Sequence, residues 1–185
     1  LADLYSRVIP DTRKYLEYAL KGLQLDIDAS DSTSQSFTYL SLSNALIQNG
    51  FVDEALVYIN KSLEYNSENY YAPLVKIYVL LAKNNDVEQA KKQLIAEWEK
   101  DTTRLDILQE VGKLYYFQKD YEGAFNYYKK LVEARKKFGL EIFSYEDIKI
   151  SKVYQAMGLN DEAKELFNSY ANYCEKDESI YKSAS

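Results

Sequence analysis

Histidine is absent from this sequence of 185 residues, and cysteine, proline and glycine are scarce. Without histidine the chain lacks the commonest general base and the commonest metal ligand. Its single cysteine, Cys174, cannot form an internal disulfide, and we expect it to be a small buried apolar residue. Two prolines and six glycines are too few for the turns of a many-stranded β protein. These absences disfavour an all-β fold and the usual metal and acid–base centres.

A basic surface and a membrane-length apolar run are also missing. The formal net charge of −6 argues against nonspecific binding of nucleic acid or of an anionic membrane. No apolar run approaches the roughly 20 residues that span a bilayer. What the chain does contain is 46% hydrophobic residues, 28% charged residues and 19 tyrosines. This composition is sufficient for a buried core and makes global disorder implausible.

A repeated pattern places an alanine shortly after a turn. The two residues before the alanine are both acidic, or are a glutamate followed by glutamine or glycine. The four alanines are Ala55, Ala90, Ala124 and Ala163, with spacings of 35, 34 and 39 residues. A period near 34 residues is typical of a helix–turn–helix unit, whereas a coiled coil repeats every seven. The acidic residues before each alanine fit the first turn of a helix, where the helix dipole favours negative charge.

The residues around each alanine strengthen this interpretation. Large residues precede it at helical spacing, as in Tyr39-x2-Leu42-Ser43-x2-Leu46 and Leu108-x2-Val111-Gly112-x2-Tyr115, and a large residue follows it after four positions. Those following residues are Ile59, Leu94, Tyr128 and Phe167. The pattern resembles the signature of the tetratricopeptide repeat (TPR), large-x2-Leu-Gly-x2-Tyr followed by Ala-x3-Phe. The resemblance covers roughly residues 36–175, and it implies an all-α, right-handed superhelical solenoid of antiparallel helix pairs.

The repeat register predicts the organisation of the chain. We expect a truncated repeat and a polar linker over 1–35, with a helix from Lys14 to Leu25 and the linker over Asp26–Ser36. Four repeats then follow at 36–69, 70–104, 105–143 and 144–176, the third with an extended second helix, and a further repeat begins at 177–185. Because the sequence begins with Leu1, it is interpreted as part of a longer array, and its Lys-, Asn-, Ile- and Tyr-rich composition suggests a bacterial source.

Sites for chemistry are not evident. Asp26, Asp28, Ser30 and Asp31 superficially fit a calcium loop, but Asp31 and Phe37 occupy the positions that require glycine and glutamate. Cys174 has no histidine partner for nucleophilic catalysis, and no phosphate-binding, dinucleotide-binding or zinc-protease motif occurs. The sequence therefore predicts a protein that is not an enzyme and needs no cofactor or metal.

The resemblance also implies where a partner would bind. In this family the first helices line a concave groove, and the second, fifth, ninth, twelfth and thirteenth positions of each repeat point into it. Most of the residues at these positions are candidate groove residues: Phe37, Leu40, Asn44, Ile47, Gln48, Val75, Val79, Lys83, Gln109, Lys113, Tyr116, Phe117, Tyr145, Ile148, Lys152 and Gln155. On this assignment, Val79→Asp should weaken partner binding without affecting the fold.

Some relatives that bind chaperones clamp the carboxylates of a peptide C-terminus with basic and amide side chains. Only Asn44 matches that pattern here, whereas Leu40, Asp106 and Glu110 occupy positions that should be basic or polar. The acidic residues would repel a carboxylate, so we expect an extended or helical protein segment with apolar anchors.

Two functions remain open at this stage. The first is a cytoplasmic module for protein–protein interaction, without nucleic acid or membrane contact through this segment. The alternative is a regulatory arm of a larger bacterial transcription or signalling protein, with its groove covered by the parent chain.

Overall fold

The helical periodicity seen in the sequence is realised along the whole described chain. The structure, a computed structural model, describes residue 2, residues 11–24 and residues 31–184, with side chains described as far as residue 176. Within those ranges the regular elements are nine α-helices and one 3₁₀ turn at Ser144–Glu146. The helices are α1 Thr12–Gln24, α2 Ser32–Gln48, α3 Val52–Tyr65, α4 Ala72–Asn84, α5 Val87–Lys100, α6 Leu105–Phe117, α7 Tyr121–Phe138, α8 Asp147–Ala156 and α9 Asn160–Ala184.

Short connections separate the paired helices, and their residues suit the turns. Gly50 and Gly158 have φ values of +83° and +81°, which glycine adopts without strain, just after α2 and α8. Asp53 and Glu54 lie in the first turn of α3, and Asp161 and Glu162 in that of α9, as expected from the helix dipole. Helices therefore begin and end where the repeat pattern predicts turns.

Contacts divide the chain into two units, Leu1–Gln93 and Leu94–Ser185. In the first unit, α1 to α4 enclose buried Tyr15, Leu42, Ala45, Ala55 and Val79. A neighbouring cluster joins Leu40, Ile59 and Ala72. The alanine of the repeat signature thus lies in the core, where its small side chain lets two helices approach closely.

The second unit has one larger core formed by α6 to α9. Tyr128, Leu131, Ile150 and Val153 are completely buried in it. Gly112 lies on α6 against the Tyr128 ring, and a Cβ atom at Gly112 would stand 2.6 Å from that ring. The glycine of the repeat signature is therefore required for close packing in this repeat.

The expected linker over Asp26–Ser36 is corrected at its C-terminal end, while residues 25–30 lie outside the described residues. Asp31 caps α2 by accepting hydrogen bonds from the backbone N–H groups of Thr33 and Ser34, so Ser32 to Ser36 are helical. Ser36 is buried. Its hydroxyl forms a hydrogen bond with the hydroxyl of Ser62 on α3 and accepts another from the amide of Asn69, which precedes α4. The stretch looked like a linker because its polar side chains cap the helix or form hydrogen bonds inside the fold.

The other boundaries can now be compared with the helices. The helix expected over Lys14–Leu25 is present as α1, and the third repeat has a longer second helix, 18 residues against 14 in α3 and α5. However, α9 continues without a break through Asp177, where we expected a further repeat to begin. No glycine or proline occurs between Asn160 and Ala184 to end the helix there. The repeat boundaries themselves stay a prediction.

Candidate functional site

The first helices of the two repeats in the first unit form a small groove. It lies between α2 and α4, has a volume of about 250 Å³, and is lined by Asn44, Ile47, Gln48, Val75 and Tyr78. Four of these five residues are among the candidates from the sequence. We call this site the α2–α4 groove, and all of its lining residues except Tyr78 occupy repeat positions that the sequence predicted to face a partner.

Polar groups at one edge of the α2–α4 groove form long hydrogen bonds. The Asn44 amide donates to the Tyr15 hydroxyl at 3.3 Å, and the Gln48 amide donates to the Asn44 carbonyl oxygen at 3.4 Å. Typical protein hydrogen bonds are nearer 2.9 Å, so these contacts are weak. The apolar residues Ile47 and Val75 pack on the core beneath and expose part of their side chains.

Three candidate groove residues are buried and cannot contact a partner from the surface. Val79 is fully buried among Leu42, Ala45 and the other core residues of the first unit, and Leu40 packs against Ile59. Gln109 is also buried, with 2% of its surface exposed. The assignment taken from the family pattern was wrong for these three because their side chains are buried in the fold. The expectation that Val79→Asp would spare the fold is wrong for the same reason.

The remaining candidates of the first unit lie apart from the groove lining. Phe37 is exposed near the start of α2. Lys83, near the end of α4, forms an exposed ion pair of 2.8 Å with Asp53 at the start of α3. Such an exposed pair contributes little to stability.

In the second unit, charged residues on α6 and around the start of α8 occur as neighbouring pairs. Glu110 pairs with Lys113, and Glu146 pairs with Lys149 at 3.0 Å. Burial raises the pKa of the Glu110 carboxyl, against the opposing effect of the Lys113 ammonium. Burial also raises the pKa of the Tyr145 hydroxyl, with the negative charges of Glu146 and Glu110 adding to the effect. The mixed charge expected at this end is therefore largely paired.

The other candidates of the second unit differ in their exposure. Tyr116 stacks edge-on against Phe117, which is 65% exposed. Tyr145, Lys152 and Gln155 are exposed, and Ile148 is half-buried. The sequence analysis did not predict the ion pair between Glu146 and Lys149, although a spacing of three residues is typical of ion pairs within a helix.

Other residues that could carry chemistry have structural surroundings. Cys174 is exposed, so its expected burial is wrong; it lies on a surface of α9 that no described element covers. Asp31 serves as a helix cap, whereas Asp26, Asp28 and Ser30 lie outside the described residues. In the part of the chain that the structure describes, no group of three His, Cys, Asp or Glu side chains could hold a metal ion. Nor is any helix there long and apolar enough to cross a membrane.

Comparison with known proteins defines the class of this fold. The chain resembles the crystal structure of MamA over 97% of both chains, with 18% identity and a TM-score of 0.57. It resembles BtubC from P. vanneervenii with 17% identity and a TM-score of 0.66, covering 96% of this chain and 78% of that one. It also matches YrrB, described as a TPR protein with an unusual peptide-binding site, at 18% identity and a TM-score of 0.51, over 92% and 81% of the two chains. The fold is thus an all-helical, TPR-like arrangement of paired helices.

One segment of the chain matches a known family model. Residues 105–138, which form α6 and α7, match the family model of the tetratricopeptide repeat. The chain therefore contains a tetratricopeptide repeat and has a TPR-like fold, which confirms the resemblance drawn from its sequence. A search of curated proteins gives no match.

Proposed function

We propose that this chain is a non-catalytic binding module that holds an extended or helical protein segment by apolar anchors in the α2–α4 groove. The observation that supports it best is the convergence of Asn44, Ile47, Gln48 and Val75 on one depression. Proteins of this family generally bind proteins or peptides, and YrrB is described as having a peptide-binding site. Fold alone does not define function, so the chemistry of the groove has to support the assignment.

The chemistry of the groove suits a peptide. Ile47 and Val75 offer a partly exposed apolar floor on which an anchoring side chain would lose water. Asn44 and Gln48 carry amides whose present hydrogen bonds are long. A partner's backbone N–H or C=O could replace these bonds at a shorter distance with a gain in energy.

The second unit, considered by itself, also lacks the free cations of a carboxylate clamp among its described residues. A clamp for a terminal carboxylate requires cations that can turn toward it. Lys113 and Lys149, however, each form an ion pair with a glutamate three residues earlier in the chain. Bringing a third carboxylate next to Glu110 and Glu146 would add repulsion. We therefore propose a neutral segment with apolar anchors for this array and reject a carboxylate clamp.

A peptide selection tests this function. Short random peptides displayed on phage would be selected on the chain, and the affinity of the recovered peptides would be measured for variants. We expect peptides with large apolar residues, and we expect Ile47→Glu to weaken their binding at least tenfold. Gln48→Glu, a nearly isosteric change at an exposed groove position, should weaken binding by removing the amide donor and adding a charge if Ile47→Glu disturbs the fold.

The matched control is Val57→Glu on the exposed surface of α3, where Val57 is 53% exposed. Binding that survives both groove variants, or that Val57→Glu alone removes, would show that the groove is assigned wrongly. The regulatory-arm alternative, the bacterial source and the cytoplasmic location stay predictions from the sequence.

A further inference from the structure

The second unit contains a larger cavity, which we call the α7–α9 pocket. It has a volume of about 400 Å³ and lies between the end of α7, the connection after it, α8 and α9. Its apolar lining is provided by Val132, Leu140, Tyr154 and Leu166. A cavity of this size is in the range of small-ligand and side-chain sites.

The wall of the α7–α9 pocket belongs to the extra turn of α7. Helices α3 and α5 end ten residues after Ala55 and Ala90, but α7 continues for fourteen residues after Ala124. Arg135, eleven residues after Ala124, opens this additional turn and lines the pocket together with Lys136. Asn66 and Asp101, the equivalents of Arg135 in the first two repeats, lie beyond the helix ends. The pocket is therefore a feature of the third and fourth repeats.

At the base of the pocket is a buried ion pair with one unused donor. Arg135 binds Asp147 with both terminal nitrogens, at 2.5 and 3.0 Å, and the Ser169 hydroxyl donates to the same carboxylate at 2.7 Å. Asp147 is fully buried, and the Arg135 side chain is 11% exposed. The Arg135 Nε–H is buried and has no acceptor among the described residues. A buried donor without an acceptor destabilises a fold, so an acceptor supplied by a ligand would be favoured.

The rim of the pocket selects against an anionic ligand. Glu141, Glu162 and Glu165 contribute three negative charges, while Lys136 and Lys176 contribute two positive ones. Lys136 contacts Glu165 at 3.4 Å, and Lys176 contacts Glu141 at 3.3 Å. Since the cations already face carboxylates, a neutral acceptor such as an amide carbonyl suits the site better than a carboxylate.

An adjoining cavity extends the site along α9. It has a volume of about 450 Å³, shares Arg135, Leu140 and Ser169 with the pocket, and adds Ser144, Asn168 and Asn172. Amide and hydroxyl groups of this kind form hydrogen bonds with the backbone of an extended chain. An apolar pocket followed by an amide-lined groove fits an apolar residue followed by exposed peptide backbone.

We propose that the α7–α9 pocket is a second peptide site, distinct from the α2–α4 groove, which takes a large apolar side chain of an extended, uncharged segment. The anchor fills the space between Leu140, Tyr154 and Leu166. A small rearrangement of the surrounding side chains exposes the Arg135 Nε–H, which then donates a hydrogen bond to the carbonyl oxygen of the anchor residue. The amides of Asn168 and Asn172 bind the backbone that follows.

The experiment uses N-acetyl-phenylalanine amide as the probe and amide NMR spectra of the whole chain as the readout. For a fragment of this size we expect a Kd of about 1 mM, with shifts centred on Gly139, Leu140 and Ser169. N-acetyl-phenylalanine, which carries a free carboxylate, should bind at least threefold more weakly. Tighter binding of the free acid, or shifts centred elsewhere, would overturn the proposal.

A matched pair of variants in one connection decides whether the shifts report the pocket. Leu140 lines the pocket and Ile142 does not, yet both are 38% exposed. Leu140→Glu should weaken probe binding at least tenfold, and Ile142→Glu should change it less than twofold. Equal effects of the two variants, shifts that depend on protein concentration because a second copy occupies the site, or the absence of shifts would each contradict the proposal. Ile47→Glu in the α2–α4 groove should leave the probe-induced shifts of Gly139, Leu140 and Ser169 unchanged.

Discussion

The hydroxyl of Ser151 on α8 donates a hydrogen bond of 2.7 Å to the backbone carbonyl of Ala163 on α9, twelve residues later. Ser43 makes the equivalent bond of 2.8 Å to Ala55. In the third repeat Gly112 occupies this position, and the Tyr128 ring fills the space that a side chain would need. The serine of the first helix and the alanine of the second are therefore in contact in the pairs α2–α3 and α8–α9.

Removing the hydroxyl tests this contact directly. Ser151→Ala should lower the free energy of unfolding by about 1 kcal/mol, because a buried hydrogen bond is lost without a change in packing volume. Urea unfolding followed by the fluorescence of Trp98, which packs against the core of the second unit, measures the effect. Ser67→Ala, at an exposed turn, should change it by less than about 0.5 kcal/mol. Equal losses for the two variants would show that the hydrogen bond is unimportant.

Two glycines on helices should respond to alanine in opposite directions. Gly112→Ala would place a Cβ atom 2.6 Å from the Tyr128 ring, and we expect a loss of about 1–3 kcal/mol from overpacking. Gly22 on α1 has no atom within 4 Å of its Cβ position, so Gly22→Ala should stabilise the protein by about 0.5–1 kcal/mol. Thermal unfolding followed by circular dichroism measures both. A Gly112→Ala variant more stable than the parent protein would contradict the close contact between α6 at Gly112 and the Tyr128 ring.

Position in the core, rather than residue type, should determine the effect of a new charge. Val79→Asp should lower the free energy of unfolding by about 4 kcal/mol or more, because Val79 is fully buried and the carboxylate would have no partner. Val57→Asp should cost less than about 1 kcal/mol, since Val57 is 53% exposed on α3. Denaturant titrations of the two variants compare them. If Val79→Asp folds with an unchanged free energy of unfolding, Val79 is not buried in the core and remains a candidate groove residue.

The Glu110 carboxyl should make stability depend on pH. Its pKa is raised in the folded state, so between its unfolded and folded values the native protein binds more protons than the unfolded chain. Stability attributable to this group therefore falls as pH rises through that interval. Glu110→Gln removes the effect, so its stability relative to the parent protein should increase between pH 4 and pH 7. Urea titrations at both pH values give the comparison, and a relative stability that decreases would contradict the assignment.

The sequence predicted those features that depend on spacing along one helix. The alanine period, the turns at Gly50 and Gly158 and the acidic first turns all follow from local chemistry. Rotation of each helix about its axis is set by its neighbours, and for that reason the inward direction of Val79 could not be predicted from a repeat position.

Contacts between distant polar residues were also beyond the sequence. Ser36, Ser62 and Asn69 form a buried hydrogen-bond network, although Ser62 is 26 residues and Asn69 is 33 residues from Ser36 in the sequence. The pair of Arg135 and Asp147 depends on the extra turn of α7 meeting the start of α8. The period showed extra residues in this repeat, but not what their side chains would contact.

Photo-crosslinking tests the central claim, the binding of a partner segment in the α2–α4 groove, most directly. A benzophenone amino acid would replace Gln48 in the groove or Val57 on α3, and each protein would be irradiated with a peptide selected on the unmodified chain. The account predicts a crosslink from position 48 and none above background from position 57. A crosslink from position 57 alone, or equal yields from the two positions, would contradict it.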